Sequence, residues 1–149
     1  MKDMFNTTKF QKILVGICFI ALGSAVFITN NSAQANEPII KEVEASKKSF
    51  FGKRDFFVSV LHDDTGFEHY ADGFEILSVS GEIIKKRVLA HPHVDEQPVT
   101  RDLRSVSIPD GITEIDVRAH DSVHGYGPKV RILIPAGDVK IQFKAHKTQ

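Results

Sequence analysis

The sequence predicts an all-β fold, an Ig-like antiparallel β-sandwich of about seven strands. Short runs of β-prone residues, separated by turn residues, fill the chain from residue 54 onward. No segment shows the 3.6-residue repeat of an amphipathic helix. Between Ile115 and His120, apolar and polar residues alternate strictly, which places Ala119 on one face of a strand and His120 on the other. These patterns favour a sandwich of short strands over a helical fold.

Residues 1–35 have the three parts of a secretory signal peptide. Three lysines precede an uncharged, largely apolar stretch from residue 13 to 36, which contains the small-x-small motif Ala33-Gln-Ala35. We therefore expect cleavage after Ala35 and export, which in a Gram-negative cell means the periplasm. The alternative is a retained membrane anchor, because the apolar run approaches the roughly 17–20 residues that span a bilayer. Cys18 lies inside the apolar run, which disfavours a lipoprotein.

The composition after this leader excludes several classes of function. The only cysteine and both methionines lie within residues 1–35, whereas all seven histidines follow them. A mature chain without sulfur has no disulfide, no thiolate nucleophile, no cysteine-ligated zinc or iron–sulfur cluster and no thioether copper site. The 19 basic residues are balanced by 19 acidic ones, so a polybasic nucleic-acid surface is not expected. Oxygen and imidazole chemistry remain, and neither nucleic acid nor, after cleavage, a membrane is an expected partner.

The mature chain is expected to begin with a short tether and to continue as one domain. Residues 36–53 are charged and aperiodic, which predicts a flexible tether, and the sandwich domain then covers residues 54–149. Strands are predicted, in order, at residues 56–62, 73–79, 82–90, 103–108, 113–120, 129–134 and 139–145. Ser80-Gly81 favours a tight turn that makes a hairpin of the second and third strands. Pro109-Asp-Gly111 joins the fourth and fifth strands, and residues 135–138 join the last two.

Six of the seven histidines lie in three segments at predicted strand ends, residues 61–72, 91–98 and 120–128. Each segment also contains carboxylates. Loops at one end of a sandwich can converge in space even when they are distant in sequence. Three or four imidazoles and carboxylates brought together in this way suit a divalent transition metal such as iron, copper or zinc.

These segments supply the candidate metal ligands. The first choices are His69, His120 and His124, followed by His91 and His93, with Asp121 as a ligand or as an acceptor for a ligating imidazole. Alternative ligands or supporting groups are His62, Asp63 and Glu68.

Two hypotheses of function follow from this pattern. The leading one is an exported metal-binding protein that is non-enzymatic or weakly redox-active, with no catalytic residue indicated. An enzyme of this composition would be a non-haem metal oxidoreductase. The alternative is a metal-free module that recognises a protein or small ligand of the cell envelope, because histidines, aspartates and prolines are also ordinary loop residues.

Two stretches resemble the iron-binding domain of superoxide reductases, the desulfoferrodoxin family. Glu68-His-Tyr70, followed by an apolar strand and a glycine-turned hairpin, resembles the family's histidine-bearing strand. Asp121-Ser-Val-His-Gly-Tyr126 is similar to the family's Cys-Asn-x-His-Gly segment. The resemblance implies an Ig-like sandwich with His69 and His124 in histidine-ligand positions and Asp121 in place of the cysteine ligand. An axial thiolate suits the family's iron to superoxide reduction, so the aspartate argues against that activity even where a metal site is kept.

Overall fold

A computed structural model of the protein describes residues 36–46, 48–135 and 139–145. Within these ranges the chain forms nine strands and no helix. In chain order the strands are β1 (Ile39–Ala45), β2 (Lys53–Leu61), β3 (Ala71–Ser78), β4 (Ile83–Val88), β5 (Val99–Ser107), β6 (Glu114–Asp121), β7 (Gly125–Tyr126), β8 (Val130–Leu133) and β9 (Ile141–Lys144). The predicted signal peptide and its cleavage site lie outside the described residues.

The strands form two antiparallel sheets around a shared core. One sheet has the order β5-β2-β1-β9, and the other has the order β4-β3-β6-β7, with β8 also paired to β6. Apolar side chains from both sheets, among them Val58 and Val117, belong to one buried cluster. The prediction of an all-β sandwich is therefore confirmed, whereas its Ig-like type stays a prediction.

The seven predicted strands correspond to β2 to β6, β8 and β9, whereas β1 and β7 were not predicted. The largest difference in boundaries is at β5, which begins at Val99 rather than at residue 103. The Ser80-Gly81 turn joins β3 and β4 in a hairpin, and Gly81 has a φ of +94°, which glycine adopts without steric cost. Residues 136–138 of the predicted last turn lie outside the described ranges.

The prediction of a tether over residues 36–53 is wrong where β1 forms. This strand lies between β2 and β9 and buries Ile40, Val43 and Ala45 completely. A register shift between Ile40 and Glu42 interrupts the alternation of inward and outward residues. Together with the charged residues between the buried positions, this irregularity hid the strand from the sequence pattern. The sandwich therefore begins with β1 and not near residue 54.

Two central strands direct their inward-facing residues toward one end of the core. On β2 and β6 these residues are apolar and fully buried: Phe56, Val58, Val60, Ile115, Val117 and Ala119. The next inward position after Val60 is His62, the next after Ala119 is Asp121, and both are buried. The apolar core thus ends in a histidine and an aspartate from opposite sheets.

Candidate metal centre

Four side chains converge at this end of the sandwich, namely His62, His69, Asp121 and His124, and we call them the histidine cluster. His62 follows β2, His69 lies in the loop before β3, Asp121 ends β6, and His124 lies in the turn between β6 and β7. Gly66, with a φ of +124°, turns the first loop back on itself, and its carbonyl accepts the N–H of His69 at 3.1 Å. This turn brings His69 beside His62.

Asp121 builds the turn that carries His124. Its Oδ1 accepts the backbone N–H groups of Val123 at 2.7 Å and of His124 at 2.6 Å, which is an Asx turn. Gly125, with a φ of +87°, then pairs with Asp121 as β7 begins. The short turn therefore holds the His124 imidazole next to the Asp121 carboxylate.

The four side chains approach one another through ring nitrogens and carboxylate oxygens. Nε2 of His69 lies 3.2 Å from Nε2 of His62 and 3.1 Å from Nδ1 of His124. Asp121 Oδ1 lies 3.5 Å from His69 Nε2 and 3.4 Å from His124 Nδ1, and its Oδ2 lies 3.9 Å from His62 Nε2. The His62 and Asp121 side chains have no solvent exposure, whereas those of His69 and His124 are 14% and 43% exposed. The cluster is thus closed by the core on one side and open to solvent at His124.

Asp64 fixes the orientation and the tautomer of His62. Its Oδ1 lies 2.6 Å from His62 Nδ1 and accepts the N–H of Ala71, while Oδ2 accepts the N–H of His93 at 2.6 Å. Burial raises the pKa of Asp64, but these backbone donors and the His62 imidazole outweigh it, so the pKa lies below its ordinary value. An ionised Asp64 only accepts hydrogen bonds, so His62 carries its proton on Nδ1. Its Nε2 therefore presents a lone pair to the cluster.

Asp121 is a buried carboxylate with one unsatisfied oxygen. Burial raises its pKa, but the backbone N–H groups of His124 and Val123 outweigh that effect and lower the pKa below its ordinary value. Its Oδ2 is buried and, among the residues that the structure describes, has no hydrogen-bond donor. Such an acceptor is costly unless another group satisfies it.

The cluster contains more hydrogen-bond acceptors than donors. His69 Nε2 lies within 3.5 Å of three potential acceptors, on His62, His124 and Asp121, but it carries at most one proton. His62 Nε2 carries none in the tautomer that Asp64 imposes. A cation placed between the four groups would satisfy all these lone pairs together. The ligand atoms of His62, His69 and Asp121, all within 4.8 Å of one another, could hold such an ion.

The structure does not bring His120 into the cluster, which corrects its place among the first-choice ligands. His120 precedes Asp121 on β6 and therefore points to the opposite face of the sheet. Its Nδ1 lies 2.6 Å from Asp72 Oδ1, and its ring packs edge-on against Tyr126. The alternation from Ile115 to His120 places His120 opposite Ala119. Extended by one residue, it places Asp121 on the same face as Ala119 and therefore opposite His120.

His91 and His93 form a separate pair, with ring centroids 4.5 Å apart. His93 is buried, and burial followed by the nearby Arg101 lowers its pKa below the ordinary value. Its backbone N–H donates to Asp64, the carboxylate that orients His62. Gln97 supports this arrangement, because its side chain accepts the N–H of His62 and donates to the carbonyl of His93. The two histidines therefore support the loop rather than complete the cluster.

Three other residues change rank. Asp63 and Glu68, predicted as alternative ligands or supporting groups, are exposed and have no described contact with the cluster. His62, predicted only as an alternative, lies at its buried centre. Asp64 was not among the candidates. It follows His62 by two residues, a spacing that places both side chains on the same side of an extended chain.

Comparisons with known proteins show a relative that matches part of the chain. No protein-family profile matches the chain. No solved structure matches it. A protein of Halomicrobium mukohataei described as "Putative lipoprotein" is 35% identical over 79 residues, which cover 53% of this chain and 38% of the relative. The chain therefore aligns with well under half of that protein's length. In the part of this chain that the structure describes, no helix is long and apolar enough to cross a membrane.

Proposed function

We propose that this chain is an exported β-sandwich protein that binds one divalent transition metal ion through His62, His69, His124 and Asp121. The observation that carries the proposal is the convergence of three imidazole nitrogens and a buried carboxylate with an unsatisfied oxygen. Asp64 completes the arrangement as the outer acceptor that orients His62, as carboxylates commonly do behind ligating histidines.

The separations within the cluster suit a four-coordinate ion. Metal–nitrogen bonds of 2.0–2.1 Å in a tetrahedral site place neighbouring donor atoms about 3.3–3.4 Å apart. The two described nitrogen–nitrogen distances are 3.1 and 3.2 Å, and two of the nitrogen–oxygen distances are 3.4 and 3.5 Å. Asp121 Oδ2 lies 3.9 Å from His62 Nε2, so this carboxylate must move closer to His62 to share an ion with it.

The donor set favours iron, copper or zinc over hard cations. Imidazole suits these transition metals, whereas magnesium and calcium prefer sites made of oxygen donors. The likeness to the superoxide reductase domain supports the same assignment, with Asp121 standing where that family has a thiolate. A carboxylate in that place favours simple metal binding, so we propose a protein that is non-enzymatic or only weakly redox-active.

Export is supported by two independent observations. The leader has the charge and hydropathy pattern of a signal peptide. The relative from Halomicrobium mukohataei carries the description of a lipoprotein, a class that is exported to the cell envelope. We therefore propose an envelope location, the periplasm in a Gram-negative cell, with cleavage after Ala35.

Metal analysis of the untagged protein tests this proposal. We expect about one equivalent of iron, copper or zinc per chain in the wild type, and the same amount in His120→Ala and His91→Ala. His62→Ala and His69→Ala should each lose most of the metal. The two control variants remove imidazoles that lie outside the cluster, so equal losses in all four variants would contradict the proposed site.

A second candidate function is an interaction module, which the exposed apolar side chains of the same loops favour. Phe67, Val94 and Val123 are all exposed, one in each of the three histidine-bearing segments. Absence of metal from the wild type, both as purified and after incubation with Zn²⁺, would favour this candidate over the metal site.

A further inference from the structure

The three segments around the histidine cluster carry charge of a single sign. Residues 62–72, 91–98 and 121–128 contain seven carboxylates and neither lysine nor arginine, although basic and acidic residues are balanced over the chain. At the other end of the sandwich, the described loop residues 46, 48–52, 79–82, 108–113, 134–135 and 139–140 contain two lysines and two carboxylates. The acidic charge is therefore concentrated where the cluster opens.

Several of these carboxylates are free to act on ions in solution. Asp63, Glu68 and Asp95 are exposed, and within the described part of the chain none of them has an ion-pair partner. Asp63 follows His62 in the chain and Glu68 precedes His69, so both flank the cluster. Glu96, by contrast, is paired with Arg101 at 2.8 Å.

The acidic loops surround an acceptor that lacks a donor. Asp121 Oδ2 is fully buried, has no described hydrogen-bond partner and lies 3.9 Å from His62 Nε2. This oxygen points to a cation as the missing ligand, independently of the charge of the loops. Loops whose charges share one sign raise the local concentration of ions of the opposite sign. They also increase the association rate of those ions, by about 10-fold or more.

We propose that the three loops form an acidic entrance to the histidine cluster, which we call the mouth. Through it the protein takes up a free divalent metal ion from solution. This inference rests on the proposed function of the histidine cluster and extends it to the route of entry. The same loops repel anions, so a negatively charged substrate is disfavoured at the site.

Stopped-flow measurement of Co²⁺ association with the full chain tests the inference. The variant Asp63→Asn/Glu68→Gln removes two charges beside the cluster, and the control Asp110→Asn/Glu82→Gln removes the same two residue types at the opposite end. At low ionic strength we expect the first variant to bind Co²⁺ about fivefold more slowly than wild type, with an unchanged dissociation rate. The control should match the wild type, and added salt should shrink the difference because it screens exposed charges.

The outcomes separate the two proposals. If Co²⁺ binds with equal association rates in the wild type and in Asp63→Asn/Glu68→Gln, the mouth is overturned while the metal site stands. If both double variants slow association equally, net charge and not its placement is responsible, and the mouth is again overturned. If equilibrium dialysis detects no Co²⁺ on the wild type, the proposed metal site itself fails. Because all four substituted residues are exposed, circular dichroism should show the same fold throughout.

Discussion

The sheet that contains β6 carries a group of polar residues on each face, and the two groups differ in how well they are satisfied. On the outer face, the fully buried Glu75 accepts from Arg118 at 2.7 Å and from Tyr126 at 3.2 Å, while His120 pairs with Asp72. We call these five residues the outer network. The Arg118 guanidinium also stacks 3.6 Å above the Tyr126 ring.

The histidine cluster on the inner face lacks this balance. In the outer network, both Glu75 oxygens and Asp72 Oδ1 face donors, whereas among the described residues none faces the buried Asp121 Oδ2 of the cluster. Both groups combine imidazole with carboxylate, so the presence of these residue types alone does not distinguish them. Convergence and unmet hydrogen-bonding capacity make the inner group the candidate site, whereas the outer group is satisfied within the scaffold.

Removal of a buried ligand should have the largest effect on metal affinity and separate the histidine cluster from the outer network most clearly. We expect His62→Ala to lower Zn²⁺ affinity by more than about 100-fold, because the loss of a ligand exceeds the 10–100-fold effect of an outer acceptor. His120→Ala should leave the affinity unchanged, since His120 lies in the outer network. Competition titration with a chromophoric chelator measures both. Similar losses in the two variants would contradict the assignment.

Replacement of the outer acceptor should have the next largest effect. Asp64→Asn removes the charge that fixes the His62 tautomer and should weaken Zn²⁺ binding about 10–100-fold. Asp72→Asn is the matched control, because Asp72 makes an equivalent 2.6 Å contact with His120 on the other face. Isothermal titration should show wild-type affinity for the control. Equal weakening in both variants would mean that net charge, and not the tautomer, sets the affinity.

A substitution in the outer network should lower the stability of the fold and leave metal affinity unchanged. Glu75→Gln removes a fully buried charge that two donors satisfy, so we expect a loss of about 1.5 kcal/mol in the free energy of unfolding. Urea denaturation of the metal-free protein measures this loss. Zn²⁺ affinity should stay within twofold of wild type, a bound of about 0.4 kcal/mol. A marked drop in affinity would show that the two faces are coupled.

Acid should destabilise the metal-free protein through the inner face. The pKa values of Asp64 and Asp121 are lowered by folding, so below about pH 4 the unfolded chain binds more protons than the folded one. Their contribution is present above the unfolded pKa and is lost as the pH falls through the folded pKa. Asp64→Asn should therefore flatten the acid limb of the stability curve. Parallel curves for variant and wild type would contradict this account.

Much of the fold follows from local sequence pattern, but β1 does not. Regular alternation around Val117 and the Ser80-Gly81 turn predict their elements because both signals are local. Recognition of Ile39–Ala45 as a strand depends on its two neighbours and on a bulge, which are tertiary features. The loss of period at the bulge made a central strand look like a tether.

The loops that form the candidate site were predictable from the sequence, but only some of the side chains that meet there were. His69, His124 and Asp121 were predicted and do converge, because strand ends at one edge of a sandwich lie together. The alternation from Ile115 to His120 places His120 on the face opposite Ala119, but its separation from the cluster follows only once Asp121 is recognised as the next inward residue. The role of Asp64 depends on contacts with Ala71 and His93, and no sequence spacing reveals those contacts.

Crystals grown with Zn²⁺ and measured at the zinc absorption edge test the central claim most directly. The account predicts a single strong anomalous peak among His62 Nε2, His69 Nε2, His124 Nδ1 and Asp121, with bonds of about 2.0–2.2 Å. A peak at the His91–His93 pair or at His120 and Asp72, with none in the histidine cluster, would contradict it.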